Sequence, residues 1–115
     1  MAFLKTLFGG GGAALSAADV RAKLDDKSQI MIVDVRTPDE HKSGVINGAR
    51  LIPLQKLEAQ MSKLPQDREI ICVCRSGARS GTAARKLKAA GYNAVNMKGG
   101  MLAWERAGYP VKRGR

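Results

Sequence analysis

"CVCRSGARSG", residues 72–81, holds both cysteines of the chain together with two arginines and two glycines. Ahead of the loop runs "EIICVC" (69–74), a nearly unbroken series of apolar β-formers. Behind it, "SGTAARKLKAAG" (80–91) places Ala83, Ala84, Leu87 and Ala90 on one helical face and stops at Gly91. A strand apolar on both faces, entering a helix through a short loop of small residues, belongs to a parallel sheet covered on both sides. The rest of the chain repeats that alternation. Ser16 and Asp19 form a capping box, and Leu15 with Val20 a hydrophobic staple, so a helix starts at Ser16. "QIMIVDV" (29–35) is a second buried strand, and "RTPDEHKSGVINGARLIPL" (36–54) reads as looser chain punctuated by Pro38, Gly44, Gly48 and Pro53. Within it "ARLI" (49–52) makes a short strand. "LQKLEAQMSKL" (54–64) is a helix with Leu54, Leu57, Met61 and Leu64 on one face, "NAVNM" (93–97) a strand, and "GGMLAWERAG" (99–108) a turn and closing helix. Strands alternating with helices specify an α/β domain with a mainly parallel central sheet.

In such a sheet, ligands bind in the crevice beyond the carboxyl ends of the strands, where Cys74 falls. Arg75, Ser76, Gly77, Ala78, Arg79 and Ser80 follow it, and the small residues let successive N–H groups turn toward one centre as an anion nest. The helix, starting near Ser80, adds about half a positive charge at the same point. The guanidiniums of Arg75 and Arg79 add full charges. All of these favour thiolate over thiol, so Cys74 is expected to be acidic and nucleophilic. No base partner accompanies it, since the single histidine, His41, lies in a polar stretch. Cys72 alternates with Ile71 and Val73 and reads as a small core residue. Asp34, at a strand end, is expected to orient backbone or arginine groups. Arg36 and Glu40 are expected to pair, and Trp104 to anchor the closing helix.

The chain of 115 residues suffices for one domain, and 44% hydrophobic with 26% charged content fits a folded protein. Of the net charge of +10, residues 61–115 carry +9, which attracts anions. The one Trp and two Tyr are not interleaved with the basic residues, which argues against nucleic acid. Two cysteines spaced C-x-C are too constrained to bridge, and with one histidine they make no familiar metal set, so neither metal nor cofactor is expected. Reduced thiols suit the cytoplasm. No apolar run reaches the length of a membrane span. The start, "MAFLKTLFGGGGAALSA", is a poor export signal because Lys5 is its only cation and glycines interrupt it, which leaves periplasmic export the lesser reading. Residues 1–15 are assigned to an apolar tail plus the Gly9–Gly12 linker, 16–111 to the domain, and 112–115 to a mobile basic tail.

Three separated motifs carry a resemblance to the single-domain rhodaneses, the thiosulfate sulfurtransferase family. They are "CRSGARS" (74–80), "DVRTPDEHKSGVINGARLIP" (34–53) and "GGMLAWERAGYPV" (99–111), and the resemblance as a whole runs from about Ser16 to Val111. Asp34, Arg36, Glu40, Gly44, Ile46, Gly48, Ala49, Ile52 and Pro53 follow the family pattern in order; Val45 and Asn47 stand where His and Pro are common. The resemblance implies a rhodanese-like α/β fold with helices on both faces of the sheet. It also implies a ping-pong transfer of sulfane sulfur from thiosulfate to cyanide or a thiol through a Cys74 persulfide. Arg75 and Arg79 would recognise the oxyanion end of the donor, with Ser76, Gly77, Ala78 and Ser80 lining the cradle and Asp34 and Arg36 supporting it. Basic loop residues in the family accompany preference for thiosulfate over mercaptopyruvate. Four residues separate Cys74 from Arg79, one fewer than in the related dual-specificity phosphatases, a loop too tight for a phosphate ester. The alternative is a non-enzymatic persulfide carrier that hands sulfur to a protein partner.

Overall fold

The computed structural model describes residues 14–114. The apolar tail, its glycine linker and Arg115 therefore lie outside the described residues, apart from the two tail residues discussed next. Strand β1 (Ala14–Leu15) leads into helix α1 (Ala17–Asp25), then strand β2 (Ile30–Asp34) and helix α2 (Pro38–Ser43). Strand β3 (Arg50–Leu51) is followed by a 3₁₀ turn (Leu54–Lys56), helix α3 (Leu57–Gln60) and a second 3₁₀ turn (Met61–Lys63). Strand β4 (Glu69–Val73), helix α4 (Ala78–Ala89), strand β5 (Ala94–Met97) and helix α5 (Gly100–Arg106) complete the domain. The five strands run in the order β1-β5-β4-β2-β3, and every pairing is parallel.

Strand polarity explains why the two long runs are apolar throughout. Val33, Ile70 and Cys72 pack on one face with Leu57 and Leu64 from the α3 region and Ala83, Ala84 and Leu87 of α4. Ile32, Ile71 and Val73 face the other way, onto Val20 of α1 and Met101 and Trp104 of α5. Alternate residues of one strand thus serve two separate cores, the requirement of a sheet covered on both faces. β2 and β4 are neighbours, yet the chain leaves β2 toward β3 and leaves β4 toward β5, in opposite directions across the sheet. The crevice at such a reversal is where the fold leaves room for a ligand. Asp34 and Cys74 stand at its two lips.

Four expectations change. Ala14–Leu15 joins the sheet, pairing with Asn96 and Met97, whereas the sequence places it in the 1–15 segment ahead of the domain. The segment 36–54 contains α2, whose capping box joins Thr37 and Glu40 with Pro38 in the first turn. The helix foreseen over 54–64 is broken into three short turns, which still turn Leu57 and Leu64 inward. Lys112, placed in the basic tail, contacts the domain: it forms an antiparallel bridge with Val45, and its Nζ donates to Asn47 Oδ1 at 3.2 Å. Trp104 is the anchor foreseen, with its indole N–H donating to the Pro110 carbonyl at 2.9 Å. Among the described residues no helix is long and apolar enough to cross a membrane.

Candidate active site

The site grows from the exit of β4. Cys74 follows its last residue, and the chain turns through Arg75 and Ser76 to Gly77, whose φ of 105° lies in the left-handed region. A Cβ there would crowd the Gly99 backbone nitrogen at 3.0 Å, so the position demands glycine twice over. The left-handed residue lets α4 begin at Ala78 rather than near Ser80, which places Ser80 inside the first turn. The consequence is a ring of donors around sulfur. The Gly77 N–H donates to Cys74 Sγ at 3.0 Å and the Ser80 hydroxyl lies 3.3 Å from it.

α5 closes the loop from behind. The N–H groups of Met101 and Leu102 donate to the carbonyls of Cys74 and Arg75 at 2.8 and 3.1 Å. These helix-terminal donors have no partner inside the helix, so the loop carbonyls satisfy them. Gly100, at φ 56°, makes this approach feasible because a Cβ would collide with both of those carbonyl oxygens. Asn96 on β5 ties the other side, donating from Nδ2 to the Gly77 carbonyl at 3.1 Å.

Cys74 has no exposed surface, and burial pushes its thiol up. The Ser80 hydroxyl and the N–H groups of Ser80, Gly77 and Ser76 together outweigh burial and bring the pKa below the ordinary thiol range. The lowering comes from these hydrogen-bond donors rather than from the loop guanidiniums. Cys72, equally buried and without such donors, is pushed up to about 12, mainly by burial and then by Cys74 itself.

The two arginines of the loop differ. Arg75 is exposed at the rim. Arg79 is held by both oxygens of Glu40, at 2.8 and 2.9 Å, so its charge is largely matched. This corrects the expected Arg36–Glu40 pair. Arg36 instead turns back onto Asp34, two residues earlier on extended chain and therefore on the same side, with Nε and Nη2 bonds of 2.8–3.1 Å. Its Nη2 also donates to the Gly44 carbonyl at 2.7 Å. His41 is buried, not set in open polar chain; its Nδ1 lies 3.0 Å from Asp34 Oδ2. Asp34 thus gathers Arg36 and His41, which fixes α2 so that Glu40 reaches Arg79. The Arg79 guanidinium first, and then the Thr37 N–H, hold the Glu40 carboxyl down at about 2 against its own partial burial. Ala78 is exposed, and its N–H donates weakly to Ser76 Oγ at 3.4 Å.

Of the loop residues named from sequence, Ser76, Gly77 and Ser80 turn donors to the Cys74 sulfur, Arg75 and Ala78 are exposed, Arg79 pairs with Glu40, and Asp34 and Arg36 pair with each other. Asn96, Gly100 and the Glu40–Arg79 pair were not foreseen. Among the described residues no group of three His, Cys, Asp or Glu side chains could hold a metal ion.

The family model for the rhodanese-like domain matches residues 16–107. The chain belongs to the rhodanese family. A sulfurtransferase of Allochromatium vinosum is 38% identical over 98 residues, covering 84% of this chain and 92% of that protein. The putative sulfurtransferase YtwF of Bacillus subtilis is 34% identical over 91 residues, 79% of this chain and 88% of the relative. The crystal structure of a rhodanese-related protein from Thermoplasma volcanium superposes with a TM-score of 0.81 at 31% identity, covering 86% of this chain and 96% of the other. The rhodanese fold, a five-stranded parallel sheet between two layers of helices, is therefore shared over nearly the whole described chain.

Proposed function

We propose that this rhodanese-family sulfurtransferase takes the sulfane sulfur of thiosulfate onto Cys74 and passes it to cyanide or a cellular thiol. The observation that supports the reading most is the convergence of the Gly77 N–H, the Ser80 N–H and the Ser80 hydroxyl on one sulfur at the head of α4. Donors so arranged stabilise an anionic sulfur before and after it gains a second one.

In the first half-reaction the Cys74 thiolate attacks the outer sulfur of thiosulfate. A Cys74 S–S bond forms, the S–S bond of thiosulfate breaks, and sulfite departs with its electron pair. In the second, the acceptor attacks the outer persulfide sulfur and the electron pair returns to Cys74 Sγ as thiolate. Arg75, free at the rim, meets the sulfonate end of the donor. Arg79, engaged by Glu40, braces the start of α4 and adds to the positive field rather than forking the donor. Ser76, Gly77, Ala78 and Ser80 shape the cradle, while Asp34 and Arg36 hold the opposite lip. The reduced state that such a thiol needs fits a cytoplasmic setting.

Initial velocities measured with thiosulfate and cyanide varied together test this reading. Parallel double-reciprocal lines are expected if sulfite leaves before the acceptor meets a persulfide held on Cys74; intersecting lines contradict it. Turnover with mercaptopyruvate but none with thiosulfate overturns the donor. Rapid transfer to a protein thiol, alongside slow turnover with every small acceptor, replaces the enzyme with a persulfide carrier.

A further inference from the structure

Ser80 stands between two acceptors. Its Oγ is 3.3 Å from Cys74 Sγ and also within hydrogen-bonding reach of Asn96 Oδ1. A serine hydroxyl carries one proton and cannot donate to both. The amide cannot turn to relieve the conflict, because its Nδ2 is committed to the Gly77 carbonyl and leaves Oδ1 facing the serine. Nor does solvent reach Ser80, which has no exposed surface. The two acceptors are set by adjacent strands, since Asn96 of β5 pairs with Cys72 of β4. The freely rotating part of the arrangement is the hydroxyl proton.

We propose that Asn96 is a positioning residue that competes with the Cys74 sulfur for the Ser80 proton. The proposal rests on Cys74 being the reacting thiol. With sulfur protonated, Ser80 donates to Asn96. With sulfur a thiolate or persulfide anion, the hydroxyl rotates and donates to sulfur, and Asn96 Oδ1 gives up that bond. The S–H proton leaves to bulk water on ionisation; the Ser80 hydroxyl only rotates, and no O–H bond breaks. Ionisation of Cys74 therefore costs one hydrogen bond at the amide, which restrains how far the cradle stabilises the anion. Such restraint has a chemical use. A thiolate loses nucleophilicity as its pKa falls, so a thiol attacks best when its pKa lies near the ambient pH.

Other charged groups face this region from every packed element. From α4 come Arg79, acting on Cys74, and Arg85, which like the Asn96 amide lies beside Gly81 and donates to Thr82. Glu40 of α2 holds Arg79, and Asp34 of β2 acts on it from a distance. Lys98, just after β5, acts on Asp19 of α1. Arg75 is exposed on the loop, and Cys72 of β4 stays a neutral thiol at physiological pH. None of the hydrogen bonds among the described residues joins these charges to Ser80 Oγ or to the Asn96 amide.

The test is the Cys74 titration midpoint, read from thiolate ultraviolet absorbance, in the native protein, Asn96→Leu, Ser80→Ala and the double variant. Cys72, pushed up to about 12, does not interfere. Asn96→Leu is expected to lower the midpoint by about half a pH unit while Ser80 is present. In the Ser80→Ala background the same substitution is expected to lower nothing. Equal shifts in the two backgrounds, or an upward shift in both, would show that Asn96 acts only by holding Gly77, and overturn the proposal. Should Asn96→Leu fail to fold, the native protein answers by nuclear magnetic resonance. The Asn96 side-chain amide is expected to titrate with Cys74, and to lose most of that response in Ser80→Ala; an equal response in both proteins overturns the competition. Because these readings follow ionisation and need no sulfur donor, failure here leaves the transfer reaction standing, and an absent persulfide leaves the titration standing.

Discussion

Cys72 and Cys74 are two residues apart, point into the same core and are both fully buried, yet their thiols move in opposite directions. Cys72 lies within β4, where its backbone is spent on the sheet and no donor among the described residues is aimed at its sulfur. Cys74 lies one residue past the strand end, where the backbone has left the ladder and the N–H groups of the loop are free to turn inward. Burial acts on both and favours the neutral thiol; only the end of the strand supplies what overcomes it. Activation here is a property of where the strand stops, not of the residue type or its depth.

The sharpest way to break that contrast is to delete each sulfur. Cys74→Ser is expected to reduce sulfur transfer to background, and Cys72→Ser to retain it. Assay with thiosulfate and cyanide checks both. Cys72→Ser costs stability instead, about 1–3 kcal/mol in denaturant titration, because it buries a hydroxyl among apolar neighbours. Next in size is Gly100→Ala. The added methyl meets the carbonyls of Cys74 and Arg75, so the loop must shift, and kcat/KM is expected to fall about a hundredfold, as small displacements of reacting groups do. Ser80→Ala removes one donor from the sulfur and leaves the rest. The Cys74 midpoint is expected to rise by about one pH unit, the scale of one hydrogen bond to a charged group, so turnover at a pH below that midpoint falls while turnover well above it is little changed.

The smallest effect belongs to the ion pair at the rim. Glu40 is held at about 2 in the folded protein against an ordinary 4.5. The folded state therefore binds the Glu40 proton less readily than the unfolded chain. The stabilisation is complete above pH 4.5 and is lost as pH falls toward 2. Both partners keep contact with water, so Glu40→Gln is expected to cost about 1 kcal/mol near neutral pH. Denaturant titrations of the two proteins should converge as pH falls through that window. A difference that persists in acid would show that the pair is not its source.

What could be read along the chain was whatever is written in neighbouring residues. The apolar run ending at Cys74, the small residues after it and the Ser16 capping box each declare a local structure, and together they locate the loop at a sheet edge. The α2 helix was also written locally, in Thr37 and Glu40, but Pro38 and Gly44 suggested loose chain; Pro38 in fact sits in the first turn, where it favours a helix. Other features had no local sign. Arg79 finds Glu40 across 39 positions, and Asn96 finds Ser80 across 16, only because α2, α4 and β5 meet above the strand ends. Arg36 had three carboxylates within four residues, Asp34, Asp39 and Glu40; it pairs with Asp34, while α2 carries Glu40 to Arg79. Gly100 looked like part of a turn, and the need for it appears only when α5 is laid against the loop.

The measurement closest to the central claim is the intact mass of the reduced native protein after thiosulfate treatment and removal of the reductant, beside Cys72→Ser and Cys74→Ser. The account predicts a gain of one sulfur atom in the native protein and in Cys72→Ser, none in Cys74→Ser, and its loss on adding cyanide. A gain that survives in Cys74→Ser, or no gain in any of the three, would contradict it.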